Sequence, residues 1–173
     1  GAQALGYAAD GPPRFDLHSS APPAVTVREP YAVLLTNASR ATKLWPADRW
    51  IEVERDLAAR GLPSVLFWGS EEEGGRARAL AGQMQRALVA PRSSLGSIAT
   101  TLGGARVVVG LDTGLSHLAA ALGRPTVAIY CDYDPGLVGL VGDGPVASLG
   151  GAGVSTSAAQ AIEAIGRVMT EAT

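Results

Sequence analysis

The chain has 173 residues, 47% of them hydrophobic and 17% charged, enough for one α/β domain with a sizeable core and an appendage but not for two separate cores. Its 14 Lys and Arg against 16 Asp and Glu give a formal net charge of -2, which excludes a general basic field for nucleic acid or an anionic membrane, so any anion site must be local. A single cysteine, Cys131, and two histidines exclude an internal disulfide framework and supply too few ligands for a structural zinc site.

At the amino end, Gly1-Ala2-Gln3 does not open a secretory signal, and no apolar run in the chain approaches the ~18 residues that span a bilayer, so a cytosolic, reducing compartment is the expected home. AQALGYAADG reads as a helix end stopped by glycine, and Gly11 to Pro30, with Pro12-Pro13, Pro22-Pro23 and Pro30, as a linker or extended wrap. Residues 1–29 are therefore expected to be an interdomain connection with the remnant of a preceding domain, and 30–173 the compact domain.

From there short apolar runs alternate with helical patterns. YAVLLT (31–36), SVLFW (64–68), ALVA (87–90), RVVVG (106–110) and TVAIY (126–130) are the expected strands. Between them PADRWIEVERDLAARG has Pro46 suited to a first helical position, Gly61 suited to the position just past the end, and a stripe of Trp50, Val53, Leu57 and Ala58. EEEGGRARALAGQM, SSLGSIATTLGG and TGLSHLAAALG supply further helices, and Ser157 to Glu171 a last one. Apolar strands alternating with such helices predict a three-layer, Rossmann-like parallel sheet with helices on both faces. Ligands of such sheets bind at the carboxyl ends of the strands.

Three loops at those ends carry polar residues. In GLDTGLSHLAAALG, Leu115, Leu118, Ala119 and Leu122 form the expected core stripe, leaving Thr113, Gly114 and His117 near the ligand end of the helix. Asp112 suits an N-cap, and Gly114 leaves room for a phosphate to approach bare N–H groups and the positive helix end. Ser116 and His117 are adjacent and cannot face each other as a nucleophilic pair. The plainer alternative is a capping aspartate and a surface imidazole. NASRATKLWP offers the hydroxyls of Ser39 and Thr42 with Arg40 and Lys43, a reasonable diphosphate clamp without a metal. Glu71, Glu72 and Glu73 suit the first turn of a helix, although one could accept from ribose hydroxyls. Asp132-Tyr133-Asp134 has the D-x-D form of some metal-dependent sugar-nucleotide enzymes, but Asp134-Pro135-Gly136 is a natural turn and no other carboxylates cluster there. Neither G-x-x-x-x-G-K-[ST] nor G-x-G-x-x-G follows a strand, which counts against a kinase-type ATPase and an ordinary dinucleotide dehydrogenase.

KLWPADRW, LFWGSEEE, GLDTGLSHLAAALGRPTVAIY and DPGL, in this order and spacing from about Tyr31 to about Gly142, resemble the C-terminal half of the lipopolysaccharide heptosyltransferase I family, glycosyltransferases of the two-domain GT-B fold. The resemblance implies a donor domain for ADP-L-glycero-β-D-manno-heptose, with the Kdo-lipid A acceptor and the catalytic aspartate base in the other domain, and hence no catalytic residue in this chain. It implies inverting, metal-independent transfer without a cofactor, at the cytoplasmic face of the inner membrane with peripheral contact. Ser39 and Lys43 would then contact the donor phosphates, Thr113 and Gly114 the diphosphate with His117 close behind, and Asp112 the heptose hydroxyls. Glu73 would reach the adenosine ribose, and Arg92-Ser93 would form part of the adenine-side wall. The first loop reads TNASRAT where relatives often show a histidine and paired acids, and Tyr130-Cys131-Asp132-Tyr133 replaces a Gly-Pro-Thr type turn. The alternatives are another ADP- or UDP-sugar transferase of the same fold, or a non-catalytic nucleotide-binding module.

Overall fold

The computed structural model describes residues 21–27, 30–37, 44–111, 114–130, 145–150 and 156–172. The five expected strands are present as β1 (Ala32–Leu35), β2 (Ser64–Leu66), β3 (Ala87–Val89), β4 (Val107–Leu111) and β5 (Thr126–Tyr130). They alternate with α1 (Ala47–Ala59), α2 (Glu71–Ala81), α3 (Leu95–Gly103) and α4 (Gly114–Ala121). A sixth strand that the sequence reading did not include, β6 (Val146–Gly150), precedes the last helix, α5 (Ala158–Glu171). All neighbours are parallel, in the order β3-β2-β1-β4-β5-β6.

Strand residues alternate between two cores because successive side chains leave opposite faces of a sheet. Ala32 and Leu34 of β1 join Trp50, Val53 and Leu57 of α1, Leu80 of α2, and Ile165 and Val168 of α5. Val33 and Leu35 join Val65, Val108, Leu102 of α3 and Ala119 of α4 on the other face. Helices on both faces explain why the strands are apolar throughout rather than alternating.

Local signals account for the helix ends. Ser70, Ser94 and Ser157 cap α2, α3 and α5, each accepting from a backbone N–H three residues on, and Glu73 and Gln160 close capping boxes in return. Gly61, with φ of 82°, takes the left-handed turn just after α1. Pro46 is not the first helical residue but the N-cap of α1, with φ -58° and ψ 143°. The buried face of α1 also differs from the expected stripe: Glu54 is buried and Ala58 only half-buried. The Glu54 carboxylate accepts from the backbone N–H groups of Gln85 at 2.9 Å and Arg86 at 2.6 Å, pairing two donors of the turn before β3.

Residues 21–27 lie as an extended wrap against α3. Ala24 N–H donates to Thr101 Oγ1 at 2.8 Å, Thr100 Oγ1 donates to the Ala21 carbonyl at 2.9 Å, and Val25 and Val27 pack on the second core. The expected helix end in residues 1–10 and the D-x-D at 132–134 lie outside the described residues.

Candidate functional site

The strand order marks a candidate crevice. From β1 the chain moves outward through α1 to β2, and from β4 it moves the other way through α4 to β5, so the two connections part at the carboxyl ends of adjacent strands. Such a switch point leaves a crevice that no crossover fills. β1 and β4 run in register to this edge, Leu35 beside Gly110. Two of the three polar loops singled out in the sequence join here by covalent connection: 36–46 runs from β1 to α1, and 112–113 from β4 to α4. Ser39, Lys43, Asp112 and Thr113 lie outside the described residues, as do Arg40 and Thr42.

The described rim shows how α4 is seated. The strand does not end at Gly110, as the sequence reading had it, but at Leu111. Ser116, fully buried, donates from Oγ to the Leu111 carbonyl at 2.6 Å. A Cβ on Gly110 would stand 2.5 Å from that Oγ and 2.8 Å from Leu35 Cβ, so glycine is what lets the helix come this close. The buried residues of α4 are Ser116, Ala119 and Ala120, whereas Leu115, Leu118 and Leu122 are half-buried flanks of the second core. The expected stripe is thus rotated toward the serine, which sequence reasoning set aside. Gly114 is exposed with nothing within 4 Å of an added Cβ, open space at the first residue of the helix. His117 is half-buried within the first turn.

The first turn of α1 has no capping side chain, unlike those of α2, α3 and α5. Asp48 is its one acid, and Arg49 also lies within it. A helix amino end with no side-chain cap suits an anion.

The second loop brings Glu73 and Arg92 together around one peptide, while Ser93 bonds within its own segment. Glu73 Oε1 accepts from Gly69 N–H at 2.8 Å and Ser70 N–H at 3.2 Å, and Arg92 Nη2 donates to the Gly69 carbonyl at 2.7 Å. Ser93 Oγ donates to the Pro91 carbonyl at 2.6 Å. Trp68 braces this corner: its indole N–H donates to the Ala90 carbonyl at 2.7 Å, and the Arg78 and Arg92 guanidinium carbons lie 5.5 Å and 5.9 Å from its ring centroid. Gly74 admits the ring, since a Cβ there would stand 2.9 Å from Trp68 Cε3. Between this corner and the β1 loop, Arg76 Nη2 donates to Asn37 Oδ1 at 3.1 Å, and Asn37 Nδ2 to the Phe67 carbonyl at 3.2 Å. Among the described residues no group of His, Cys, Asp and Glu could hold a metal ion, and no helix is long and apolar enough to cross a membrane.

The glycosyltransferase family 9 (heptosyltransferase) model matches residues 2–159 of the chain. Lipopolysaccharide heptosyltransferase 1 of Salmonella typhimurium is 44% identical over 121 residues, covering 70% of this chain and 38% of that protein. Among solved structures, the E. coli heptosyltransferase WaaC with ADP superposes with a TM-score of 0.69 at 35% identity, covering 82% of this chain and 45% of that one. The same enzyme with ADP-2-deoxy-2-fluoro heptose gives 0.66, over 83% and 43%. The chain thus spans less than half the length of these relatives.

Proposed function

The chain belongs to glycosyltransferase family 9, the heptosyltransferases, and on that premise we propose that it is the donor-binding half of a lipopolysaccharide core heptosyltransferase of the two-domain GT-B fold. It takes ADP-L-glycero-β-D-manno-heptose in the crevice at the carboxyl ends of β1 and β4. The observation that carries this reading is the position of Leu111 and Gly114, which bracket Asp112-Thr113 at the sheet's switch point. The solved relative at 35% identity was determined with ADP.

In this reading Lys43, Ser39 and the open first turn of α1 hold the donor phosphates, with Thr113, Gly114 and the amino end of α4 on the other side. His117 stands one turn behind as a hydrogen-bond donor or cation. Asp112 orients the heptose hydroxyls. Glu73 and Arg92-Ser93 line the nucleoside end; because Glu73 Oε1 closes the capping box, Oε2 is the atom that would reach the ribose.

Transfer inverts the anomeric carbon. An acceptor hydroxyl oxygen of Kdo-lipid A attacks it from the face opposite ADP, the bond to the ADP phosphate oxygen breaks, and a carboxylate of the acceptor domain takes the hydroxyl proton. The charge that develops on ADP is stabilised by Lys43 and the helix ends, without a metal. The chain by itself binds donor and does not transfer it, and the whole enzyme works in the cytoplasm at the inner membrane, with peripheral contact.

Calorimetric titration with ADP, using UDP and NAD as controls, tests the reading. ADP-selective binding weakened about 1.5–3 kcal/mol by Lys43→Ala, the worth of a charge-assisted hydrogen bond, is the expected result. A folded chain that binds UDP or NAD as well as ADP, or one indifferent to Lys43→Ala, would refute it.

A further inference from the structure

The motif residue Trp45 and, in the first turn of α1, Arg49 both reach toward the other end of the chain. Trp45 is 5% exposed, and its indole N–H donates to the Thr156 carbonyl at 3.0 Å. Arg49 Nη1 donates to the same oxygen at 2.7 Å. A carbonyl oxygen has two lone pairs, so these two donors can occupy both.

Thr156 is itself held. It is 4% exposed, immediately before the serine that caps α5. A Cβ on Gly150, at the end of β6, would stand 2.8 Å from Thr156 Oγ1 and 2.3 Å from the Tyr130 carbonyl oxygen at the end of β5. Gly150 has φ of 85°, so backbone conformation and space both call for glycine there. The amino end of α1 is therefore bonded to the residue that enters α5, and that residue lies close against the end of β6.

We infer that Trp45 and Arg49 are positioning residues that fasten the phosphate-binding end of α1 to the carboxyl-terminal part of the chain, so that the segment entering α5 helps set donor affinity. The inference rests on the donor site proposed above. Packing does not require these bonds: Trp45 meets Trp50 edge to face, with centroids 4.9 Å apart at 89°, and phenylalanine would fill the same core. Nor does the helix favour Arg49, since a cation in a first turn opposes the macrodipole. Its bond to the Thr156 carbonyl is what accounts for its place there. Lys43 is two residues before Trp45, so movement of the indole also moves the backbone from which Lys43 reaches.

The test compares ADP with adenosine, which lacks phosphate, on the full chain. Trp45→Phe and Arg49→Met should each raise the Kd for ADP about three- to tenfold, the range for a lost hydrogen bond, while leaving that for adenosine within about twofold. Met169→Ala, a core change on α5 away from the Thr156 carbonyl, should lower the melting temperature with no such split. Unchanged ADP affinity in both variants overturns the inference, and so does a parallel loss of ADP and adenosine. If Trp45→Phe does not fold, Arg49→Met alone decides. A wild-type chain that binds no ADP fails at the donor site itself, a result distinct from the failure of these two contacts.

Discussion

Glu54 shows how a single residue can escape a pattern. At an α1 position where periodicity only asks whether a side chain is apolar, it is fully buried, and its two oxygens accept from the backbone of Gln85 and Arg86. Truncation would remove both acceptors at once, and a partly buried N–H left without a partner costs on the order of 1–3 kcal/mol. Glu54→Ala is therefore expected to lose about 2–4 kcal/mol in a denaturant melt, whereas Glu54→Gln, which keeps one acceptor oxygen, should lose clearly less. Equal losses would mean that only the volume of the side chain matters. No pattern of apolar residues could have revealed this contact, because its partners lie some thirty residues on and are backbone groups that every sequence possesses. Trp45 escaped for a related reason. The sequence offers it only as part of KLWPADRW, whereas its N–H is committed to the Thr156 carbonyl, again a backbone partner far along the chain.

At the level of elements, what could be read and what could not separate along physical lines. The four interior strands β2, β1, β4 and β5 were legible because burial on both faces demands continuous β-branched and aliphatic residues, as in VVVGL and TVAIY, while the edge strand β3 was read from the short apolar run ALVA. β6 was not legible: VASLG is a sheet edge whose side chains are mostly half-buried or exposed, so nothing forces an apolar run. The stripe of α4 was misjudged because Gly110 and Ser116 form a matched pair across two elements, and spacing within one helix says nothing about a hole in the neighbouring strand. That pairing can be measured. Gly110→Ala should cost about 1–3 kcal/mol by overpacking, because the new methyl meets both Ser116 Oγ and Leu35 Cβ. Ser116→Ala takes away one of the two clashing atoms, so the double variant should lose less than the sum of the single losses, a coupling that a double-mutant cycle reads directly. Strict additivity would show that the helix is not held at this contact.

For the whole molecule, the switch point matters because it joins the two cores. α1 packs on one face of the sheet and α4 on the other, so a ligand held between the loop entering α1 and the amino end of α4 would bridge them. The ligand-side edge of the sheet followed from the alternation of strands and helices, but the crevice between β1 and β4 needed the strand order. The contacts of its described rim did not follow either: Glu73 is committed to a capping box and Arg92 to the Gly69 carbonyl, a bond that no spacing announces. A bridging ligand stabilises both cores together. At a free concentration of 100 times Kd, ADP adds about 2.7 kcal/mol to unfolding, which for a domain of this size raises the melting temperature by roughly 5–10 °C. Two probes then test the bridge. Far-UV circular dichroism reports the whole sheet, while tryptophan fluorescence is weighted to the first core through Trp45 and Trp50. With ADP the two should rise together and keep one transition, and Lys43→Ala should shrink both shifts in proportion. If ADP moved the fluorescence transition and left the dichroism where it was, the nucleotide would be stabilising α1 and its surroundings alone, and the crevice between β1 and β4 would not be where it binds.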